Sequence, residues 1–532
     1  SFESQVLHKQ RLLEVALQGA PSFLESAKMK NAVFQLMQNA SGKDEVSRSF
    51  LTSMIKSVEP KLSFEVRKAF QDKDTFLNVR NLDVEGEHAT LISNQKSRVQ
   101  IYRSLKITSD NLRARNDDLY KLLFPKSLSI ESLQSHLNNK EIFLNFHTIS
   151  QHEQIYVMAV TKQNALIYKS KLKENELGWR ITELRNFIDL SRLESPLAFD
   201  FETSYEIYDA LLGPAEKLLN EADHLIISSS GFLESFPFNI LISEPPYNSG
   251  DGHLELYRSA AWLPKSFTLQ SLSAPSSLNM IRGLSDQRIA MLNPFIGFGD
   301  PILEGKPTAL RGLEIVDVYE GAKADLGKLR ALPQLPDTGE ELLSIAEFLG
   351  SPPENVFLRD KATETTVKST SLNQSRVIAF ATHGLISGEL NGLAEPALVM
   401  TPPEKATEFD DGLLTASEVA LLDLNADIVL LSACNTGAGN ALGANGLSSL
   451  AKSFIYAGAR SLLVTHWSVD SKATTKLTTG MFEAMASDQS IGRAEALRQS
   501  MLNMINDDEN PHYAHPAFWA PFSLIGDGQT AN

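Results

Sequence analysis

One cysteine, Cys434, stands in a chain of 532 residues that also holds 11 histidines. A thiol does chemistry when a base removes its proton, donors receive the developing oxyanion and a groove aligns the scissile bond. Taken alone, a single Cys reads more readily as a small buried apolar side chain than as a nucleophile, so its neighbourhood decides. Cys434 follows the apolar run ADIVLLSA (426–433) and precedes Asn435, Thr436, Gly437, Ala438 and Gly439, a turn-forming stretch suited to exposing the end of a strand. His383 closes a second apolar run, RVIAFAT (376–382). Gly384 comes next, where the chain can turn tightly beside a substrate. These residues make Cys434 the candidate nucleophile and His383 the candidate general base. The backbone N–H groups of Gly384 and Cys434 are the candidate oxyanion donors.

Such residues need a scaffold that brings two strand ends together. RVIAFATHG, ADIVLLSACNTG and RSLLVTHWSVD (460–470) are near-continuous apolar runs, and helical patterns at 447–459, 471–487 and 492–506 follow or separate them. That alternation predicts a parallel sheet covered on both faces, whose site forms outside the carboxyl ends of its strands. Further upstream, EIFLNFHTI (141–149) and QIYVMAVTKQNALIYKSKL (154–172) predict strands, with a hairpin at Lys162-Gln163-Asn164. Helices are expected over about 174–190 and 203–220. Strands are expected at 224–230 and 289–301, and a helix at 335–350 with Pro336 and Asp337-Thr338 ahead of Glu340 and Glu341. Residues 245–280 are rich in Gly, Ser and Pro and predict an irregular excursion. Residues 1–127 predict helices, from apolar spacing at Leu12, Leu13, Val15 and Ala16 and at Phe50, Leu51, Met54 and Ile55. No 34-residue helical repeat can be aligned there.

Composition sets outer bounds. The hydrophobic share of 42% and charged share of 21% are those of an ordinary globular protein. A net charge of −16 argues against nucleic acid as a direct partner, because phosphate binding needs clustered Lys and Arg. It favours a basic substrate or partner. No apolar run reaches the ~18–20 residues that span a bilayer. The opening SFESQVLHKQRLLEVAL lacks a charged n-region followed by an apolar h-region. A cytoplasmic location is therefore expected, with a removed signal peptide left open; the initial Ser reads as the mark of a fragment or processed form. With one Cys, neither a disulfide framework nor a multi-Cys zinc site is expected.

The ordered motifs AFATHG (379–384), DGLLTASEVALLDLNADIVLLSACNTG (411–437), GLSSLAKSFIYAGARSLLVTHWSVDSKAT (446–474) and HPAFWAPFSLIGDG (515–528) resemble the CHAT family. These are the caspase-like peptidases often found behind tetratricopeptide repeats, relatives of separase. LPDTGEELLSIAEFL, LRDKATETTVK (358–368) and SSSGFLESFPFNIL (228–241) resemble the family too, so the resemblance spans about residues 130–528. His383 lies 51 residues before Cys434, and a caspase His lies about 50 residues before its Cys. Where the family often carries Gly-Glu-Gly, this chain has Gly443-Ala444-Asn445-Gly446 and so lacks that carboxylate.

The resemblance implies an α/β fold, a caspase-like, mostly parallel sheet flanked by helices. It implies a helical region over 1–127 (a divergent repeat or partner-binding arm), a degenerate caspase-like half-domain over 128–330 and a catalytic domain over 331–532. The implied activity is that of a cysteine endopeptidase working on a protein substrate by acyl transfer. It would use no metal or cofactor and would answer to an activating protein partner or to the helical region. A catalytically silent scaffold or a sensing module is the alternative. Separase-like enzymes carry an acidic residue in a context similar to that of Asp470, where it binds the basic side chain before the cut. Asp470 is thus a candidate for the specificity pocket, or the N-cap of the helix at 471–487. Trp467 either walls that pocket or fills core. Three other patterns point to nothing further. Ser228-Ser229-Ser230-Gly231 is not a nucleophile elbow, Gly297-Phe298-Gly299 has no third Gly for a nucleotide, and His512 and His515 have no third metal ligand.

Overall fold

The computed structural model describes residues 27–40, 128–149, 153–188, 198–229, 231–245, 253–272, 274–283, 293–307, 310–311, 319–320, 323–385, 396–407, 409–433, 449–467 and 469–529. Its contacts divide the chain between Ser129 and Ile130. In the first unit, α1 (Ala27–Ala40) buries Val33, Phe34 and Met37. The Gln38 amide donates to the Leu128 carbonyl and accepts the Leu128 N–H, both at 2.9 Å. The other helices expected in this unit lie outside the described residues.

The second unit, Ile130–Asn532, is built on one long sheet. In chain order its first strands are β1 (Glu141–Ile149), β2 (Gln154–Thr161) and β3 (Ala165–Lys169). Then come α2 (Glu174–Ile188), α3 (Phe201–Leu211), β4 (His224–Ser228), β5 (Thr268–Ser271) and β6 (Asn293–Pro301). Helix α4 (Asp337–Phe348) leads to β7 (Val356–Arg359) and β8 (Ser375–Ala381). Three short strands follow, β9 (Gly384–Leu385), β10 (Ala397–Val399) and β11 (Leu413–Thr415), which form a small antiparallel sheet. The chain ends through β12 (Ile428–Leu431), α5 (Ser449–Ala457), β13 (Ser461–Thr465), α6 (Ser471–Ser487), α7 (Arg493–Ile505) and β14 (Phe522–Gly526).

The long sheet runs β7-β6-β8-β12-β13-β14-β5-β4-β1-β2-β3. Only β13/β14, β1/β2 and β2/β3 pair antiparallel, so the sheet is mostly parallel, as expected. Strand β14, from the chain's end, joins the strands of the two halves by pairing with β13 on one side and β5 on the other. Strand β6, upstream of the expected boundary at 330/331, lies between β7 and β8. The hairpin at 162–164 forms where the sequence predicts it, closed by Thr161 N–H to the Asn164 carbonyl at 2.9 Å.

Side-chain alternation along the strands divides the core into two layers. Ile428 and Leu430 face one layer with Val377, Ala379 and Ala381, beneath α4 and α6. Val429 and Leu431 face the other with Ile378 and Phe380, beneath α5. Both faces being covered explains why these strands read as unbroken apolar runs. Gly297 and Gly299 have a packing role. A Cβ on Gly299 would come 2.6 Å from Leu342 of α4 and 2.9 Å from the Ala381 carbonyl, and one on Gly297 would also crowd Leu342. These glycines let α4 lie close against β6.

The stretch 245–280 differs from expectation. Among its described residues it forms helices at His253–Ser259, Leu263–Ser266 and from Pro275, with β5 between them. Its Gly and Ser content conceals Tyr257, Trp262, Leu263 and Phe267, all buried. Burial of such large side chains outweighs weak local propensity. No helix among the described residues is long and apolar enough to cross a membrane.

Candidate functional site

Strands β8 and β12 are parallel neighbours near the middle of one half of the sheet, and His383 lies just beyond the carboxyl end of β8. Their register pairs Val377 with Ile428 and Phe380 with Leu431, an offset of 51 residues. That equals the spacing between His383 and Cys434. The pairing continues past the last assigned residue of β12, where the Ser432 N–H donates to the Phe380 carbonyl at 2.9 Å. Cys434 itself, the turn after it and Gly443-Ala444-Asn445-Gly446 lie outside the described residues; the strand end is described as far as Ala433.

His383 is fully buried. Its backbone carbonyl accepts the Val399 N–H at 2.9 Å, and the neighbouring Thr382 hydroxyl donates to the Val399 carbonyl at 2.5 Å. Strand β10 therefore clamps the turn that carries the histidine. The ring Nε2 lies 2.8 Å from the carbonyl oxygen of Pro333. A carbonyl can only accept, so Nε2 carries the hydrogen and the neutral ring keeps its lone pair on Nδ1. The sequence reading missed Pro333. A backbone carbonyl leaves no residue-type signal, and only its position just before α4 could have hinted at it. Gly384 follows in β9, paired with Leu398, and is half-buried.

Two more polar groups brace the end of β12. The Ser432 hydroxyl donates to the carboxyl of Glu341, 3.0 and 3.2 Å from its oxygens. The Thr478 hydroxyl of α6 donates to Glu341 Oε1 at 2.7 Å. Glu341 is fully buried, projecting from α4 into the layer between helix and sheet. On the other side, the Thr465 hydroxyl donates to the Ala433 carbonyl at 2.8 Å. The sequence suggested Glu341 only as a helix-start signal and gave no sign of Thr465.

Asp470 follows β13 on the same edge of the sheet. Its Oδ1 accepts the Ala473 N–H at 2.8 Å, so it caps α6. It is half-buried and close enough to Tyr513 for its charge to help raise that phenol above its ordinary range, behind the larger effect of burial. A carboxylate has two oxygens and about four lone-pair sites, so one capping bond leaves capacity for a cation. Trp467 is 1% exposed and packs in the core layer with Val469, Ala473 and Leu477. Its indole N–H has no partner among the described residues. His515 is buried, its Nδ1 accepting the Ala517 N–H at 3.1 Å. Among the described residues, no three His, Cys, Asp or Glu side chains gather as a metal site would require.

Residues 202–527 match the CHAT domain family. Tetratricopeptide repeat protein 28 of Mus musculus is 28% identical over 236 residues, covering 37% of this chain. Its Homo sapiens counterpart is 27% identical over 232 residues, again 37% of this chain. The chain spans 9% of the length of either relative. Among solved structures, the separase of the Saccharomyces cerevisiae separase–securin complex aligns with 99% of this chain and 40% of its own, at 9% identity and a TM-score of 0.42.

Proposed function

Because the chain belongs to the CHAT domain family, we propose that it is a cysteine endopeptidase with a Cys434–His383 dyad. The observation that carries this reading is the register of β8 on β12. Its 51-residue offset equals the interval from His383 to Cys434, and His383 follows the carboxyl end of β8 beside the described end of β12. The Pro333 carbonyl supports it further by holding the ring with Nδ1 as the basic nitrogen.

In this mechanism His383 Nδ1 takes the thiol proton, and the thiolate sulfur adds to the carbonyl carbon of the scissile peptide. The carbonyl π pair moves to oxygen, where the N–H groups of Gly384 and Cys434 receive it. Collapse of the adduct reforms the carbonyl and breaks the C–N bond. The imidazolium gives its proton to the leaving amine and a thioester remains. Water, deprotonated by the same ring, then releases the acid and restores the thiol. Asp470 receives a basic side chain before the cut, with Trp467 behind the pocket. A protein partner or the helical unit governs access.

A positional peptide library with Cys434→Ala and His383→Ala tests this. Both variants lose cleavage, and Cys434→Ala keeps the parent's melting temperature. The pH profile of Cys434 alkylation in His383→Ala moves up, since an imidazolium neighbour lowers a thiol's pKa from ~8.5. Parental turnover in Cys434→Ala refutes the assignment. A parent that cleaves nothing and alkylates like a free thiol leaves a silent scaffold.

A further inference from the structure

We infer that Thr465 is a positioning residue that fixes the oxyanion donor at Cys434. This rests on the peptidase reading above. The Ala433 carbonyl and the Cys434 N–H belong to one planar peptide unit, and in a trans peptide they point in opposite directions. Whatever holds that carbonyl therefore aims that N–H. The Thr465 hydroxyl donates to the Ala433 carbonyl at 2.8 Å, and both residues are fully buried.

The surroundings hold both partners of this bond in place. Strands β12 and β13 pair at Val429 with Leu462 and Leu430 with Leu463. On its other edge β13 pairs with β14 along its whole length, Thr465 opposite Phe522, and the His466 N–H goes to the Pro521 carbonyl at 3.1 Å. Beyond those β12/β13 pairs the Ala433 carbonyl meets the Thr465 side chain. Threonine suits this place, because its branched Cβ restricts the side chain to few rotamers, and pairing with β14 holds its backbone. One residue earlier, Ser432 is secured by its N–H to Phe380 and by its hydroxyl to Glu341. The peptide unit between Ala433 and Cys434 is the next along. Turning it over would break the Thr465 bond and leave a buried carbonyl without this donor, which is costly.

The chemistry separates this role from a general one. Addition of the thiolate to a peptide carbonyl creates an oxyanion that needs the aimed N–H. Displacement of iodide from iodoacetamide by the same thiolate creates none. The test compares the parent with Thr465→Val, which keeps the shape without the hydroxyl, and Thr465→Ser, which keeps the hydroxyl. The measurements are kcat and KM on the best library peptide, the rate of Cys434 alkylation by iodoacetamide and the affinity for a peptide aldehyde. Removing an oxyanion donor costs ~10²–10³ in kcat, and misaiming one costs part of that. Thr465→Val should lose ~10–100-fold in kcat and a similar factor in aldehyde affinity. Its KM and alkylation rate should stay close to the parent's, and Thr465→Ser should recover most of the loss. If Thr465→Val does not fold, Thr465→Ala carries the same comparison. Parental kcat in the valine variant overturns the inference. So does an equal loss in alkylation, or a serine variant as defective as valine. A parent that neither cleaves nor reacts at Cys434 overturns the peptidase reading and this inference with it.

Discussion

Asp470→Asn separates two duties that one side chain can carry. The structure fixes the first: Oδ1 accepts the Ala473 N–H at 2.8 Å and caps α6. Replacing a capping Asp by Ala costs about 0.5–2 kcal/mol, whereas Asn caps as well as Asp. The proposed second duty is electrostatic, pairing with a substrate Arg or Lys through charge-assisted hydrogen bonds. Removing one partner of such a pair costs roughly 2–5 kcal/mol, which is ~30-fold or more at 1.4 kcal/mol per tenfold. Asp470→Asn should therefore melt with the parent while losing at least ~30-fold in kcat/KM on peptides with a basic residue before the cut. Asp470→Ala should show that loss and a lower melting temperature as well. Alkylation of Cys434 should be unchanged in both. An Asn variant that cleaves basic peptides as fast as the parent reduces Asp470 to a cap. A library preference for Asp before the cut refutes the acidic pocket altogether.

Two further predictions concern the supports around the site. Glu341→Ala removes the acceptor of the Ser432 hydroxyl and opens space between α4 and the sheet. Thr478 keeps an alternative in the Thr474 carbonyl at 3.0 Å, so the expected loss is ~2–4 kcal/mol, read as a lower melting temperature and larger than that of Glu341→Gln; no change refutes the bracing role. Glu364 takes hydrogen bonds from Lys368 at 2.5 Å and from the Asp411 and Gly412 N–H groups at 2.8 and 2.9 Å, yet burial pushes it up to about 7. With the folded value above the ordinary ~4.3, its contribution to stability is fully present below that value and is lost as pH rises through about 7. Melting of the parent against Glu364→Gln between pH 4 and pH 8, about the span those two values bracket, should show a shallower decline in the variant, and identical slopes refute it.

Some of this architecture was legible because side-chain pattern and burial agree. The runs around Val377–Ala381 and Ile428–Leu431 are apolar on both faces, and the structure buries both faces. Ser471–Ser487 could be bounded from sequence because Asp470 caps its start. Residues 245–280 misled because composition averages over a few decisive aromatics such as Trp262, which is fully buried. Pro333 and Thr465 were invisible for a different reason. One acts through a backbone carbonyl and the other binds one, across sequence separations of 50 and 32 residues. Residue type carries no trace of such a contact.

The 51-residue interval shows why spacing can nonetheless carry chemical information. Between two parallel neighbouring strands, the register decides which residues stand opposite each other, while the length of the connecting chain decides how many residues separate them in sequence. The chain between β8 and β12 includes β9, β10 and β11, which clamp the His383 turn through Val399. An insertion there could be absorbed as a surface loop and would change the interval while leaving the register intact. A one-residue slip of β12 on β8 would keep the interval in sequence, yet would turn Ser432 away from Glu341 and Leu430 out of its layer. The spacing in sequence is therefore only a sign of the proposed site; what the described strands supply is a register held by the alternating core and by Glu341.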